Sequence, residues 1–71
     1  MKEKYADIST FKIGEVAHRA QVNKETVRYY EKRGLIPEPN RHYSGYRIFT
    51  QRHIDQIRFI KRAQELGFYS Q

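Results

Sequence analysis

The sequence predicts a small, mostly α-helical domain with a short two-stranded hairpin. Apolar residues recur at helical spacing in two separate stretches, 13–20 and 51–66. A third stretch, 24–33, forms a helix with one apolar face and is closed by a glycine and two prolines within 34–39. Alternating β-favouring residues then occupy 46–49. With 71 residues, the chain forms one domain with a thin core.

Charge and composition narrow the classes of partner. Fourteen Lys and Arg face eight Asp and Glu, giving a net charge of +6. The segment 28–62 alone holds nine of these cations against three acids, which favours a polyanion, most often nucleic acid. A basic surface kept for solubility is the alternative. The absence of cysteine excludes disulfides and thiolate metal sites, and no apolar run reaches membrane-spanning length. We therefore expect a cytoplasmic protein.

The N-terminal part combines an arm, a helix and a turn. Residues 1–10 show no periodicity and are predicted to be a flexible arm. The helix 13–20 starts after Lys12, which is a weak N-cap, whereas Asn23 is a good N-cap for the next helix. Turns between such helices often carry glycine. Gln21 in a left-handed conformation would cost about 1 kcal/mol relative to glycine.

The second helix has two different faces. Its cations share one sector of about 80° on a helical wheel, namely Lys24, Arg28 and Lys32. Tyr29 lies about 60° beyond this sector, while Val27 and Tyr30 lie on the opposite side. We therefore expect Tyr30 to face the core and Tyr29 to face outward with the cations. A short helix of this kind fits the major groove of DNA, although an ordinary solvated surface has the same pattern.

The remaining segments predict a wing and a third helix. The helix–turn–helix covers about 13–33, the wing about 35–49, and the third helix about 51–66, capped by Thr50 and ended by Gly67. The wing consists of two short antiparallel strands joined by a basic loop. The apolar arc of the third helix should be core, and it contains Ile57, Phe59, Ile60, Ala63 and Leu66. Its charged arc includes residues that either reach phosphates or are simply solvated: Arg58, Lys61 and Arg62.

No pattern predicts an enzyme, a metal site or a cofactor. The three histidines, His18, His42 and His53, lack the i, i+4 spacing of a helical metal site and are expected to be surface or wing residues. There is no nucleophile elbow and no glycine-rich phosphate loop. A single-strand binder with stacked aromatics is disfavoured, because Tyr29 and Tyr30 point to opposite sides of their helix.

Four motifs resemble the N-terminal DNA-binding domain of the MerR family of bacterial transcription regulators. They are FKIGEVA, VRYYEKRGLIPEP, GYRIFT and IDQIRFIKRAQELGF, and together they span about 11–68. Within the family, NKETVRYYEKRGLIPEP and FIKRAQELGF are most similar to regulators of mercuric resistance. The resemblance implies a winged helix–turn–helix domain at 11–71.

The resemblance also implies which residues bind DNA. Lys24, Arg28 and Tyr29 match the recognition helix, and Tyr30 matches a partly buried second tyrosine. The wing and the third helix supply the other matches, with wing arginines reaching phosphates: Arg41, Tyr46, Arg47, Arg58 and Lys61. Full-length members are expected to form homodimers that engage RNA polymerase at the promoter and untwist an overlong spacer when an effector binds.

The sequence departs from the family after Gln71, where a long dimerisation helix and an effector site would follow. Without that helix or metal-binding cysteines, this chain is expected to be monomeric in solution and unable to sense mercury itself. It is either a DNA-binding fragment of a longer regulator or a naturally short relative. We interpret the chain as a sequence-specific binder of double-stranded promoter DNA that acts in transcription regulation. The alternative is a basic winged-helix adaptor for an acidic protein partner.

Overall fold

The computed structural model describes residues 9–67 and has the predicted, mostly helical architecture. None of its helices in this range is long and apolar enough to cross a membrane. The three helices begin at the expected residues and end within one residue of the expected ends. The elements in order are β1 (Thr10–Phe11), α1 (Ile13–Ala20), α2 (Lys24–Lys32), β2 (Asn40–Arg41), β3 (Arg47–Thr50) and α3 (Gln51–Glu65).

The turn between α1 and α2 is built as the sequence predicts. Asn23 Oδ1 accepts a hydrogen bond of 2.9 Å from the Thr26 N–H and so caps α2. Lys12 precedes α1 without a side-chain cap. Gln21 adopts φ 61° and ψ 44°, the left-handed region that costs a residue with a Cβ about 1 kcal/mol. This one residue redirects the chain from α1 into α2.

The sheet has three strands, one more than the sequence predicts. β3 lies in the centre, antiparallel to β1 on one side and to β2 on the other. Thr10 pairs with Thr50, and Arg41 pairs with Arg47. Assigning Thr10 to a flexible arm was therefore wrong, because its backbone completes the sheet edge; residues 1–8 lie outside the described part of the chain. The wing is thus attached through β3 to the segment that precedes α1.

The core lies where α1, α2, β3 and α3 meet, but α3 is rotated from its expected orientation. Phe59 and Leu66 were expected to be core and are each 62% exposed. Ile54, which lay outside the expected arc, is buried. At 100° per residue, the buried arc is centred about 60° from the predicted one. The large, fully buried side chains are Val16, Val27, Phe49, Ile54, Ile57 and Ile60.

His53 is buried, which corrects its assignment to the surface or wing. Its Nδ1 accepts a hydrogen bond of 3.0 Å from the Thr50 N–H at the start of α3. Nε2 is therefore the protonated nitrogen, and it donates to the Pro37 carbonyl at 3.1 Å. The imidazole plays the part of Glu or Gln in a capping box, and its ring packs edge-on against Phe49. One neutral side chain thus links α3, β3 and the loop after α2.

The state of His53 predicts how stability depends on pH. Burial lowers the pKa of the imidazole below its ordinary 6.5; the hydrogen bond to Pro37 opposes this shift, Arg52 adds to it, and Glu31 opposes it. Since the unfolded chain then binds a proton more readily than the folded one, stability should be fully present above about pH 6.5 and decline as pH falls through the lower folded-state pKa. Denaturation midpoints between pH 8 and 5 measure this. His53→Gln should flatten the decline, and the exposed control His18→Gln should not. Parallel curves for wild type and His53→Gln would contradict the assignment.

The exposure of two phenylalanines predicts a large difference in stability. Phe49→Ala should lower the free energy of unfolding by about 3–5 kcal/mol, because it removes a fully buried ring and leaves a cavity. Phe59→Ala is the matched control and should change it by roughly 0.5 kcal/mol or less, as other surface substitutions do. Urea denaturation of both variants tests this. Equal losses would mean that Phe59 is packed after all.

Candidate nucleic-acid interface

The two tyrosines of α2 lie on opposite sides, as the helical wheel predicts. Tyr30 is 3% exposed, and its hydroxyl donates to Gln64 Oε1 on α3 at 2.8 Å. Burial raises the pKa of the Tyr30 phenol, and the neighbouring Tyr29 raises it further, so the hydroxyl stays a donor at neutral pH. Tyr29 is 39% exposed. The outer face of α2 is therefore fixed in direction by a buried residue next to it.

Two cations beside the outer face of α2 already have local partners, namely Arg28 within the helix and Arg33 directly after it. Arg28 Nη1 lies 2.9 Å from Glu25 Oε2 in an exposed ion pair one turn apart, which contributes little to stability. Arg33 donates from Nη1 to the Tyr29 hydroxyl at 2.6 Å, and its guanidinium lies 5.6 Å from the Tyr29 ring centre. Arg33 was not among the residues predicted to bind DNA, although its i, i+4 spacing from Tyr29 was a usable signal.

A cleft separates α2 from the wing, and we call it the α2–wing cleft. It is lined by Gly34, Ile36 and the ring of Tyr29. Charged side chains of both signs complete the lining: Glu25, Arg28, Glu31, Lys32, Glu38 and Arg47. Three of the predicted DNA-binding residues therefore meet here, namely Arg28, Tyr29 and Arg47. No group of three or more His, Cys, Asp or Glu among residues 9–67 is placed to hold a metal ion.

Arg47 is not an outward-facing wing cation. Its Nε lies 2.7 Å from Glu31 Oε1 on α2. Its side chain is 34% exposed and that of Glu31 14% exposed, and both contacting atoms are shielded from solvent. The contact lies outside hydrogen-bond geometry, and neither atom has a hydrogen-bond partner among the described residues. The expectation drawn for Arg47 from the sequence, a phosphate contact, therefore has a competitor inside the protein.

The tip of the wing is an aromatic stack. The His42 ring lies parallel to the Tyr46 ring with centres 4.5 Å apart, and it also contacts the Tyr43 ring at 4.1 Å. Nδ1 of His42 accepts from the Ser44 backbone N–H at 3.1 Å, which shapes the loop. Tyr43 is 96% exposed. The Lys12 ammonium lies 4.6 Å from the centre of the Tyr46 ring, a cation–π distance. Lys12 was not among the residues predicted to bind DNA, because it is far from the wing along the chain.

Two further predicted cations, Arg41 and Lys24, do not line the α2–wing cleft. Arg41 is exposed and donates from Nη1 to the Gly45 carbonyl at 3.0 Å, across its own loop. Lys24 crosses the start of α1 at Gly14, where a Cβ would lie 3.4 Å from Lys24 Cε. A glycine at this position leaves room for the lysine stem. Lys24 therefore lies beside the beginning of α1.

Arg58 and Lys61 lie outside the α2–wing cleft. Arg58 and Gln21 both border two hollows between α3 and the end of α1. Lys61 lines the second of these hollows. Lys61 also lies 3.9 Å from Glu65 Oε2. The eight predicted residues thus fall into three groups. The cleft group is Arg28, Tyr29 and Arg47, and the α3 group is Arg58 and Lys61. The wing and α1 group is Arg41 and Tyr46 in the wing with Lys24, which lies beside the start of α1.

The family follows from a comparison with known proteins. Residues 11–71 match the model of the MerR HTH family regulatory proteins. The chain belongs to the MerR family. It is 60% identical over 58 residues to a mercuric resistance operon regulatory protein of Bacillus cereus, an alignment that covers 82% of this chain and 44% of that protein. The chain thus spans less than half the length of this relative.

Two solved structures share the fold. The lead(II) complex of the transcription regulator PbrR691 from Ralstonia metallidurans CH34 has a TM-score of 0.74 and 34% identity, covering 83% of this chain and 45% of that one. HiNmlR, described as a MerR family regulator lacking the sensor domain and bound to promoter DNA, has a TM-score of 0.79 and 24% identity, covering 86% and 46%. The relatives are regulators, so the prediction that this MerR-family chain is not an enzyme is confirmed.

Proposed function

We propose that this chain binds double-stranded promoter DNA, with α2 in the major groove and the wing on the sugar–phosphate backbone. The observation that carries the proposal is the outer face of α2. Arg28 and Tyr29 are exposed on it, while Tyr30 on the same turn is anchored in the core. Arginine can pair with the O6 and N7 atoms of guanine in the major groove. The helix thus presents base-reading groups from a fixed support.

The wing and α1 group supplies the backbone contacts in this proposal. Arg41 and Lys24 carry their charge on exposed residues, and among residues 9–67 neither has a carboxylate within ion-pair distance. Tyr46 offers a phenol that is held by the stacked His42 ring. Phosphate contacts of this kind fix the register of a protein on the duplex and leave sequence reading to the base contacts. Arg58 and Lys61 would support the flanking backbone from α3.

The biological setting that we propose is transcription regulation of the mercuric-resistance type, in the cytoplasm. The 60% identity to the Bacillus cereus regulator supports it. The longer family members are proposed to act as homodimers that engage RNA polymerase at the promoter, and this chain alone is proposed to be a monomer. No metal-sensing role is proposed for this chain, whose sequence has no cysteine.

The test is a selection from a pool of random duplexes, followed by anisotropy titration of the enriched sequence and of a scrambled one. A DNA reader should enrich one sequence and prefer it over the scrambled duplex. Arg28→Ala and Tyr29→Ala should each weaken that preference by about 5- to 150-fold, the value of one base contact, without lowering the thermal midpoint. Arg62→Ala removes the same charge from α3 outside the α2–wing cleft and should leave the preference unchanged.

An adaptor for an acidic protein predicts a different outcome. Such a protein would bind any polyanion equally, so the selection would enrich nothing and heparin would compete as well as DNA does. Equal affinity for the enriched and scrambled duplexes would overturn the proposed function.

A further inference from the structure

We propose that Arg47 is a positioning residue for DNA binding, acting through Glu31, and that it does not neutralise a phosphate. This inference rests on the proposed function. It assigns to the Glu31–Arg47 ion pair the task of setting the distance between the base-reading helix and the wing. The resemblance to the family had suggested the opposite role for Arg47, a backbone contact.

The first support is the depth of the pair. The Nε and Oε1 atoms lie 2.7 Å apart as an ion pair outside hydrogen-bond geometry, and both are removed from solvent with no hydrogen-bond partner among the described residues. Each charge therefore compensates for the burial of the other, and removing one leaves the second desolvated and unpaired. An arginine turned outward to phosphate would forfeit this contact and leave Glu31 charged in a shielded position.

The second support is what the pair connects. Arg47 is the first residue of β3, and its backbone is paired with Arg41 in β2. Glu31 follows Tyr30, whose hydroxyl is bonded to Gln64 on α3. The pair thus joins the turn of α2 that Tyr30 anchors to the loop end of the wing hairpin, where Arg41 and Arg47 pair. A shift of the wing by one ångström would misplace Arg41 relative to Arg28, and binding constellations tolerate about half that.

The third support is the contrast with Arg41, one strand away. Arg41 is exposed and bonded to a loop carbonyl of the wing itself. Its charge has no carboxylate within ion-pair distance in the described chain. Arg41 is therefore the wing cation available to a phosphate, whereas Arg47 holds the wing that carries it.

A third of the Arg47 side chain remains exposed, so a loss of affinity on its substitution could come from either role. The salt dependence of the affinity separates the two roles. Loss of a phosphate contact reduces the slope of log affinity against log salt by about 0.9. A positioning residue changes affinity and leaves that slope unchanged. Arg47→Gln and Glu31→Gln should each lower affinity for the enriched duplex by about 5- to 30-fold. The double variant should be no worse than either single one, since both remove the same contact. Arg41→Gln is the matched control and should flatten the slope.

The variant Arg47→Lys is the control for a general loss of folding. Lysine keeps the charge but lacks the planar guanidinium that meets Glu31, so it should lose affinity as Arg47→Gln does, with an unchanged slope and a folded circular dichroism spectrum. The inference is overturned if Arg47→Gln flattens the slope by about 0.9 while Glu31→Gln strengthens binding. That result would make Glu31 a competitor of phosphate. A wild-type chain that prefers no duplex would instead refute the proposed function itself.

Discussion

The neutral imidazole of His53 is the contact on which the arrangement of the other elements depends. Its Nδ1 accepts a hydrogen bond from the Thr50 N–H at the start of α3, and its Nε2–H donates a hydrogen bond to the carbonyl of Pro37 in the loop that leaves α2. Ile36 packs this loop into the core, and the hydrogen bond from His53 adds a directional link at Pro37. With the loop held, the chain enters the wing from a fixed point. The position of the wing relative to α2 is thus decided in the protein interior.

A domain of this size has little apolar surface to bury, and polar links complete its support. Tyr30 links α2 to α3, and Glu31 links the same turn to the loop end of the wing hairpin. Two consecutive residues thus attach α2 to both of its neighbours, while its outer face remains available. The net positive charge is compatible with these links, because acidic side chains lie beside particular cations, as Glu25 does beside Arg28. The direction of the outer face of α2 is thus fixed by Tyr30 and Glu31, which lie beside it.

Local chemistry made much of this predictable. The cap at Asn23, the left-handed turn at Gln21 and the opposed tyrosines all depend on residues close in sequence, and the structure confirms them. The misses involve distant partners. Within the described part of the chain β1 has two residues and pairs with the distant strand β3, so no local periodicity could reveal it. Periodicity gave α3 an apolar arc but not its centre, because Phe59 and Ile54 compete equally on a helical wheel.

The interior partner of Arg47 was equally invisible, because Glu31 lies sixteen residues earlier on another element. A motif match assigns a residue to a position in a family, and it carries no information on which carboxylate stands beside it. Likewise, Arg58 and Lys61 matched the family pattern, yet they border hollows beside α1. Where basic residues are this numerous, sequence identifies the candidates and tertiary contacts decide which charges are available.

The exposed pair Phe59 and Leu66 has a practical consequence for handling the protein. Phe59 lies on α3 and Leu66 follows its last residue, about two helical turns further on, and each has most of its surface in solvent. Salts such as sulfate strengthen the association of apolar surfaces, while any salt weakens contacts to phosphate. Purification in concentrated sulfate to strip nucleic acid would thus promote clustering through α3. Chloride at moderate concentration would remove the polyanion without strengthening the apolar contact through α3.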